Sequence, residues 1–183
     1  MKFINKFCGG LQLHRQISEH RPALYRTALA WTGDAMLADD LVQEALTLAM
    51  DKSHQLKDEA KLRPWLFTIL GNCWRQYLRK KREYLDLDNV ELVCDNCPDS
   101  QMEQDSKIRK VREAVAALPI AQREVVSLVD LNGFSYAEVS SILGIPVGTV
   151  MSRLSRARKS LLGMLDFSDN KEEAKVKHLR SVK

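Results

Sequence analysis

The segment from Ser135 to Leu161 constrains the fold of this chain most, because it specifies two helices and the turn between them. Ser135 and Glu138 have the spacing of a capping box, which predicts that a helix begins there. Gly144 predicts the end of this helix, and Thr149 is a candidate N-cap for the next one. Two helices of about eight and fifteen residues, separated by a short glycine-containing turn, are the pattern of a helix-turn-helix.

The second of these helices has one apolar and one polar face. Its apolar residues recur at helical spacing and predict a buried face of Val150, Leu154, Ala157 and Leu161. The polar face carries hydroxyl and guanidinium groups from Thr149, Ser152, Arg153 and Arg156, with Arg158 and Lys159 beside them. Such groups suit phosphate oxygens and guanine edges in a major groove. An ordinary solvated helix face is the alternative, but the turn and cap before the helix favour DNA binding.

Length and composition allow one ordinary domain or two small ones. The 183 residues are 45% apolar, too high a fraction for a disordered chain, and the 8 Gly and 5 Pro are too few for a collagen-like one. The net charge of +4 arises from 28 basic and 24 acidic residues. So small an excess does not by itself establish a polyanionic partner, and the distribution of charge along the chain must be considered.

The charged residues are sorted into blocks along the chain. The segment from Arg75 to Arg82 contains five basic residues and no acid, whereas Glu83 to Asp105 contains eight acids and no base. The acidic segment shows no sustained helical period, so residues 84–107 are predicted to form a flexible acidic linker between two domains. Residues 166–183, which carry both charge signs and few large apolar side chains, are predicted to form a frayed helix or tail.

Apolar residues recur at helical spacing on both sides of this linker. In the first half the spacing predicts two helices separated at Gly33-Asp34, and a third that begins near Pro64 and leads into the basic block. In the second half it predicts helices over 108–118 and 121–131 before the helix-turn-helix. Since no segment alternates like a half-buried strand, the expected fold is all-α, with small helical domains at 12–83 and 108–165.

The third helix combines aromatic and basic side chains. Its aromatic residues, which lie before or within the basic block, are Trp65, Phe67, Trp74 and Tyr77. The first two are expected in the core, whereas Trp74 and Asn72 remain available, together with the basic block, to a single DNA strand. Exposed bases stack on aromatic rings while cations hold the phosphates. One domain is therefore predicted to bind duplex DNA and the other a melted strand.

Other features of the chain point to no cofactor and no membrane anchor. The N-terminal segment lacks the apolar run and cleavage site of a signal peptide, and no apolar stretch approaches the ~18 residues that span a bilayer. Cys94 and Cys97 form a single CxxC, which fits half a zinc site or a redox pair. Without a second pair of ligands, uninvolved thiols are the favoured interpretation, and no metal site is predicted. The few cysteines favour a reducing cytosol.

The motifs resemble those of a known family. Residues 39–44 and 64–72, with the basic block that follows, resemble region 2 of the extracytoplasmic-function (ECF) subfamily of sigma-70-type RNA polymerase sigma factors. Residues 118–124, 133–139 and 143–158 resemble region 4 of the same family, in the expected order. The resemblance implies a protein that performs no covalent chemistry itself, needs no cofactor, and directs core polymerase to specific promoters.

In the first domain the resemblance assigns roles that the residues alone left open. By itself, the polar face of the second helix would simply be solvated. The resemblance implies instead that the β′ clamp helices of core polymerase dock there, on Asp40, Leu41, Gln43 and Glu44. It implies that the promoter −10 element is melted and captured by Asn72, Arg75, Arg79 and Lys80, with Trp74 available beside them. The loop from His54 to Lys61 would lie where a flipped −10 base is bound.

In the second domain the resemblance implies recognition of the −35 duplex. The residues assigned to it are Arg123, Thr149, Ser152, Arg153, Arg156 and Arg158, with Arg123 as a phosphate contact. Two positions depart from the family pattern. Met151 stands where the family often has an arginine, which removes a cation from the groove face, and Ser140 replaces the usual alanine, which a hydroxyl bonded to a backbone carbonyl would tolerate.

The resemblance also implies partners and a location. The β flap of core polymerase and an anti-sigma factor are expected partners, and the acidic linker would follow the RNA-exit path of the polymerase. The expected location is the bacterial cytoplasm, at the nucleoid when the protein is in holoenzyme, or at the inner membrane when an anti-sigma factor holds it there. No membrane insertion is expected.

A free-standing helix-turn-helix regulator, binding duplex DNA as a dimer, is the alternative function. The aromatic and basic constellation from Trp65 to Arg82 and the lack of an obvious dimerising heptad favour the sigma factor. An enzyme comes third, because the chain contains no P-loop, no HExxH, no G-x-S-x-G and no Rossmann fingerprint.

Overall fold

A computed structural model describes residues 12–56, 58–88 and 106–180 of the chain. Within these ranges the regular structure is helical and no strand forms, so the all-α prediction is confirmed. The helices are α1 (12–19), α2 (Arg21–Thr32), α3 (Ala35–Asp51), α4 (Leu62–Asp88), α5 (Ser106–Ala116), α6 (Ile120–Val126), α7 (Tyr136–Leu143) and α8 (Val147–Arg180). Short 3-10 turns at Ser53–Gln55 and Glu59–Lys61 connect α3 to α4, and a π-helical turn, Ser127–Leu131, extends α6.

Gly33 and Asp34 separate α2 from α3, as the sequence predicts. Gly33 has a φ of 70°, a left-handed conformation that favours glycine because it has no Cβ. The Asp34 carboxylate accepts hydrogen bonds from the backbone N–H groups of Met36 at 2.8 Å and Leu37 at 3.1 Å. Two donors at the start of α3 are thereby satisfied, and the chain reverses so that α3 packs against α2.

The helix-turn-helix begins with the predicted capping box. The Ser135 hydroxyl accepts from the Glu138 N–H at 3.3 Å, and the Glu138 carboxylate accepts from the Ser135 N–H at 2.8 Å. Gly144 ends α7 with a φ of 67°, also as predicted. The hydroxyl of Ser140 in α7 donates to the Ile145 carbonyl in the turn that follows, at 2.6 Å. Such a bond to a backbone carbonyl is what allows serine to replace the usual alanine at this position.

The second helix of this motif starts earlier than predicted. α8 begins at Val147, and the Thr149 N–H donates to the Pro146 carbonyl at 2.9 Å within its first turn. The prediction of Thr149 as N-cap is therefore wrong. Pro146, whose fixed φ is compatible with a helix start, precedes the first helical residue instead.

Two helices are longer than the sequence predicts. α8 contains 34 residues and continues through most of the predicted tail, where no proline interrupts it. α4 runs to Asp88 and α5 begins at Ser106, so helix enters both ends of the segment 84–107 that is predicted as a linker. The remainder of that segment, including Cys94 and Cys97, lies outside the described residues.

The first half of the molecule, α1 to α4, and the second half, α5 to α8, each contribute large apolar side chains to the core. In the first half the fully buried ones include Leu24, Trp31, Val42, Leu66 and Phe67. In the second half they include Leu118, Leu128, Val139, Ile142 and Val150. The predicted apolar face of α8 is buried at Leu154 and Ala157 as well, and Leu161 packs against it. Trp65, expected in the core, is partly buried and packs against it too.

The two halves pack directly on each other, with α2 against α6 and its π-helical turn and α4 against α7. The Trp31 indole donates to the Ser127 hydroxyl at 2.6 Å, and both side chains are buried. The rings of Phe67 and Phe134 meet edge to face with centroids 4.8 Å apart, and the Arg63 guanidinium lies 4.4 Å from the Phe134 ring centre. Burying an aromatic side chain contributes ~1.5–3 kcal/mol. We call this arrangement of the halves the closed form.

Candidate nucleic-acid interface

The exposed surface of α8 is rotated relative to the predicted polar face. Ser152 and Arg156 are exposed, as expected, but Thr149 and Arg153 are half-buried. The Ser152 hydroxyl donates to the Thr149 carbonyl at 3.1 Å, and Arg156 Nε donates to the Ser152 carbonyl at 3.3 Å. These bonds hold Ser152 and Arg156 against the helix. The surface most open to a partner therefore runs along Ser152 and Arg156 rather than along Arg153.

Arg158, at the edge of this surface, is paired with an acid of the same half. Its guanidinium donates to both carboxylate oxygens of Asp130, at 3.1 and 2.6 Å. The hydrogen bond to Asp130 and the charge of that carboxylate raise the pKa of Arg158. This bidentate pair fixes α8 to the π-helical turn, and Asp130 offsets the charge that Arg158 would present to a phosphate.

Arg123 lies between the two halves instead of on the open surface of α8. Its guanidinium donates to the carbonyls of Trp31 and Leu118, each at 2.9 Å, and to the carbonyl of Ala116. Trp31 is near the end of α2, whereas the other two acceptors lie where α5 leads into α6. Arg123 thus joins the halves, and a phosphate would have to compete with backbone acceptors for it.

Trp74 is the centre of a second contact between the halves. The side chain is 4% exposed, its ring stacks on Tyr77 with centroids 5.7 Å apart, and its indole N–H donates to Glu124 Oε1 at 2.9 Å. Burial raises the pKa of the Glu124 carboxyl, although the Trp74 bond and the charges of Arg75 and other arginines oppose the rise. Glu124 is half-buried, and the cost of its partial removal from water is thus only partly compensated.

Arg75 connects α4 to the C-terminal end of α7. Its guanidinium donates to the Leu143 carbonyl at 2.6 Å, to the Ile142 carbonyl at 3.4–3.5 Å, and to Asn72 Oδ1 at 2.5 Å. The last carbonyls of a helix lack partners within the helix and carry partial negative charge. Arg75 satisfies them, and Asn72 orients Arg75. Further along α4, Arg79 and Lys80 are exposed.

The polar face of α3 is exposed on the opposite side of its buried stripe. Asp40, Gln43 and Glu44 are exposed, whereas Leu41 is 3% exposed and belongs to the core. Leu41 therefore anchors α3 and does not itself reach the surface. Cys73 of α4 is also buried, and burial together with the charge of Glu44 raises the pKa of its thiol to about 11.

Comparison with known proteins identifies the family. The model of sigma-70 region 2 matches residues 16–84, and that of sigma-70 region 4 matches residues 108–161. The ECF RNA polymerase sigma factor EcfG of Rhodopseudomonas palustris is 37% identical over 153 residues, which are 83% of each chain. This chain belongs to the ECF sigma factors. Another member, SigM of Bacillus subtilis, is 30% identical over 81% of this chain and 92% of its own.

This sigma factor is also similar in structure to sigma factors that have been solved with a partner protein. The sigma factor RpoE of Bartonella quintana, solved with the anti-sigma factor NepR, has a TM-score of 0.72 and 33% identity, covering 83% of this chain and 95% of its own. CnrH, solved with the cytosolic domain of CnrY, has a TM-score of 0.60 and 25% identity, covering 84% and 87%. The prediction of an ECF sigma factor, which directs core RNA polymerase to promoter DNA, is confirmed.

Sequence reasoning missed several of the residues that join the halves of this sigma factor. Glu124 and Ser127 accept the indole bonds, and the Asn132 amide donates to the Thr27 hydroxyl at 2.9 Å. Glu124 stands inside a region 4 motif, but no local pattern names a partner on another helix. Met36 was also missed. It is 80% exposed and lies one turn before Asp40, so it adds an apolar group beside the polar face of α3.

Two further properties concern only the described ranges of this sigma factor. No three His, Cys, Asp or Glu side chains come together there as a metal site. None of the helices described is both long enough and apolar enough to cross a bilayer. The loop from His54 to Lys61 begins inside the first 3-10 turn and ends with the second, and Lys57 lies outside the described residues.

Proposed function

We propose that this sigma factor binds the −35 duplex through α8 and the melted −10 strand through α4, and that the closed form opens before the strand is captured. α8 lies in the major groove, with Ser152 and Arg156 at base edges and Thr149 and Arg153 beside them. Arg123 and Arg158 contact phosphates only when they leave the acceptors that they bind in the closed form. All of these groups are polar or cationic, as a DNA duplex requires.

One observation carries this proposal: Trp74 and Arg75, which follow Asn72 on α4, are both bonded to the second half. A ring that is 4% exposed has no face on which a base can stack. An arginine that satisfies the end of α7 must exchange those carbonyls for a phosphate. Separation of α4 from α6 and α7 frees both side chains, while Arg79 and Lys80 are already exposed.

The exposed face of α3 is the proposed contact with core polymerase. Asp40, Gln43 and Glu44 supply carboxylates and an amide for the β′ clamp helices, and Met36 supplies an apolar group at the edge. Leu41 supports this face from within the core. Since the face is exposed in the closed form, polymerase can reach it before the halves separate. The loop from His54 to Lys61 is the proposed site of a flipped −10 base.

We also propose an anti-sigma factor as the partner that keeps this protein inactive. RpoE of Bartonella quintana was solved with NepR, and CnrH with the cytosolic domain of CnrY. By this analogy the sigma factor acts in the cytoplasm without covalent catalysis, at the nucleoid within holoenzyme, and membrane tethering would come from the partner alone. Titration calorimetry with a NepR-type protein from the same genome tests the proposal, and absence of a complex would remove it.

The DNA-binding proposal is tested with reconstituted holoenzyme on a cognate promoter. Arg79→Ala combined with Lys80→Ala should weaken permanganate reactivity of the −10 thymines several-fold, because two exposed phosphate contacts are lost. Protection of the −35 element from nuclease should be unchanged. Arg15→Ala removes an exposed cation from α1 and serves as the matched control.

The same experiment separates the two classes of function. A sigma factor binds core polymerase and opens promoters only with it. If the purified protein instead binds promoter duplex equally well as a dimer without polymerase, it is a free-standing regulator. The proposed roles of α3 in polymerase binding and of α4 in strand binding are then wrong. If the double variant melts the promoter like wild type, the basic block does not hold the −10 strand.

A further inference from the structure

Two large apolar side chains are exposed near the start of α8. Val147 is 41% exposed and Met151 is 54% exposed. They are four residues apart, so they lie on the same side of the helix, one turn from each other. Neither belongs to the hydrophobic core or packs against it. The pair therefore leaves apolar surface open to solvent at the start of α8.

The surroundings of this pair identify what it meets. At 100° per residue, Ser155 lies about 40° from Met151 around the helix, Ser152 about 100° away and Arg156 about 140° away. All three of these neighbours are exposed, whereas Thr149 and Arg153 are half-buried. The exposed surface therefore extends from Met151 at one side, across Ser155 and Ser152, to Arg156 at the other. Hydroxyls and a guanidinium on this surface suit DNA, and the first turns of the second helix in such a motif contact base edges.

A major groove offers one apolar group to such a side chain, the 5-methyl group of thymine. An arginine at this position would reach for a guanine edge or a phosphate, whereas methionine has no donor and no charge. Its flexible, polarisable thioether adapts to the position of a methyl group. Val147, one turn before Met151, extends the same apolar surface.

We infer that Met151, supported by Val147, packs on the 5-methyl group of a thymine in the −35 element and makes this sigma factor prefer thymine at that base pair. The inference rests on the proposed placement of α8 in the −35 groove. It predicts that specificity at this base pair comes from contact with a methyl group. Recognition by Arg156, in contrast, is expected to use hydrogen bonds.

The test removes that methyl group from the DNA and nothing else. Holoenzyme is titrated against promoter duplexes in which each −35 thymine, on either strand, is replaced in turn by deoxyuridine. Wild type should bind one of these duplexes about four-fold more weakly, which corresponds to the ~0.8 kcal/mol of one buried methyl-sized group. With Met151→Ala, thymine and deoxyuridine at that position should bind equally. Leu162→Ala, an exposed apolar residue about three turns further along α8, is the control and should behave as wild type.

The outcomes separate this inference from the function on which it rests. If no position responds to deoxyuridine while the −35 element is protected from nuclease, the methyl contact is wrong and the placement of α8 stands. If one position responds equally in wild type and Met151→Ala, another residue makes the contact and the inference is also wrong. If holoenzyme does not protect the −35 element at all, both the placement and the inference fail.

Discussion

The hydrogen bond between Trp74 and Glu124 gives the most direct test of the closed form. Glu124→Leu removes the acceptor while keeping a side chain of similar size, and it leaves an indole N–H buried without its partner. An unsatisfied buried donor costs ~1–3 kcal/mol. Since every 1.4 kcal/mol is tenfold in an equilibrium constant, loss of this bond should shift the balance between closed and open forms about five- to 140-fold towards open, and relief of the burial cost of the Glu124 carboxylate offsets part of that shift.

Glu124→Gln is the matched variant, because its amide oxygen can still accept the indole bond. It also removes a charge whose burial is only partly compensated, as the raised pKa of Glu124 indicates. We therefore expect the two substitutions to shift the equilibrium between closed and open forms in opposite directions at pH 7. Glu124→Leu should favour the open form, and Glu124→Gln should favour the closed form. Glu124 is not one of the proposed DNA contacts, so neither variant alters the binding surface itself.

The assay measures the free sigma factor in two ways. Small-angle X-ray scattering reports the separation of the halves as a radius of gyration, which should rise for Glu124→Leu. Anisotropy with a single-stranded −10 oligonucleotide reports access to α4, and its affinity should rise by the same factor until the open form dominates. Glu113→Leu, which changes an exposed acid on α5, is the control.

Glu124 also makes closure depend on pH. A raised pKa in the closed form means that this form binds the proton more tightly than the open form does. Closure therefore strengthens as the pH falls through the raised value towards about 4.3, the ordinary pKa of glutamic acid, and it weakens as the pH rises. Glu124→Gln should have a larger fraction of closed molecules than wild type at pH 7, and this difference should accordingly shrink as the pH is lowered to 4.5.

Two results would refute this reasoning. If Glu124→Leu matches wild type in both scattering and oligonucleotide binding, the indole bond does not hold the halves together. If both variants open, attraction between the carboxylate and nearby arginines outweighs the cost of its burial, and the direction derived from the pKa is wrong.

The remaining predictions concern local stability and reactivity. With the other three cysteines replaced by serine, Cys73 should resist a thiol reagent at pH 8 in the native state and react on unfolding, because it is buried and its pKa is about 11; rapid native labelling would contradict this. Ser135→Ala should lower the free energy of unfolding by ~1 kcal/mol in urea titrations, through loss of the α7 cap, and an unchanged midpoint would speak against it. Phe134→Ala should cost ~3–5 kcal/mol by the same measurement, through the cavity left against Phe67, unless the halves already separate in solution.

Features that depend on neighbouring residues could be predicted from the sequence. Ser135 and Glu138 satisfy each other three positions apart, and Gly144 closes the helix that they begin. The break at Gly33 and Asp34 follows the same local rules. These signals required no knowledge of the rest of the chain. They were enough to locate the helix-turn-helix and the all-α fold.

Helix ends were less predictable, because several residues compete to define them. Thr149 has a side chain suited to an N-cap, but Pro146 precedes a helix that already includes Val147. For residues 166–183 the charge composition left a frayed helix and a tail open, and α8 continues as a helix through Arg180. Composition does not stop a helix in the way that proline or a left-handed glycine does.

Contacts between the halves could not be predicted, because their partners are far apart in sequence. Trp74 and Glu124 are separated by 50 positions, and Trp31 and Ser127 by 96. No periodicity or cap relates such pairs. The composition of the basic and aromatic segment indicated a nucleic-acid surface, but it did not indicate that Trp74 and Arg75 bind the second half in the absence of DNA.

The shared use of Trp74 and Arg75 has a consequence for promoter binding. In the proposed function the same groups bind either the second half or the −10 strand, so the apparent affinity for that strand should equal the intrinsic affinity multiplied by the fraction of open molecules. The α3 face, by contrast, is exposed in the closed form, so core polymerase can bind before the halves separate. If polymerase binds the open form more tightly, the bound complex contains more open molecules, and strand capture improves by the same factor. Glu124→Leu should then raise the affinity of the free sigma factor for the −10 strand far more than that of holoenzyme, because polymerase has already provided the opening.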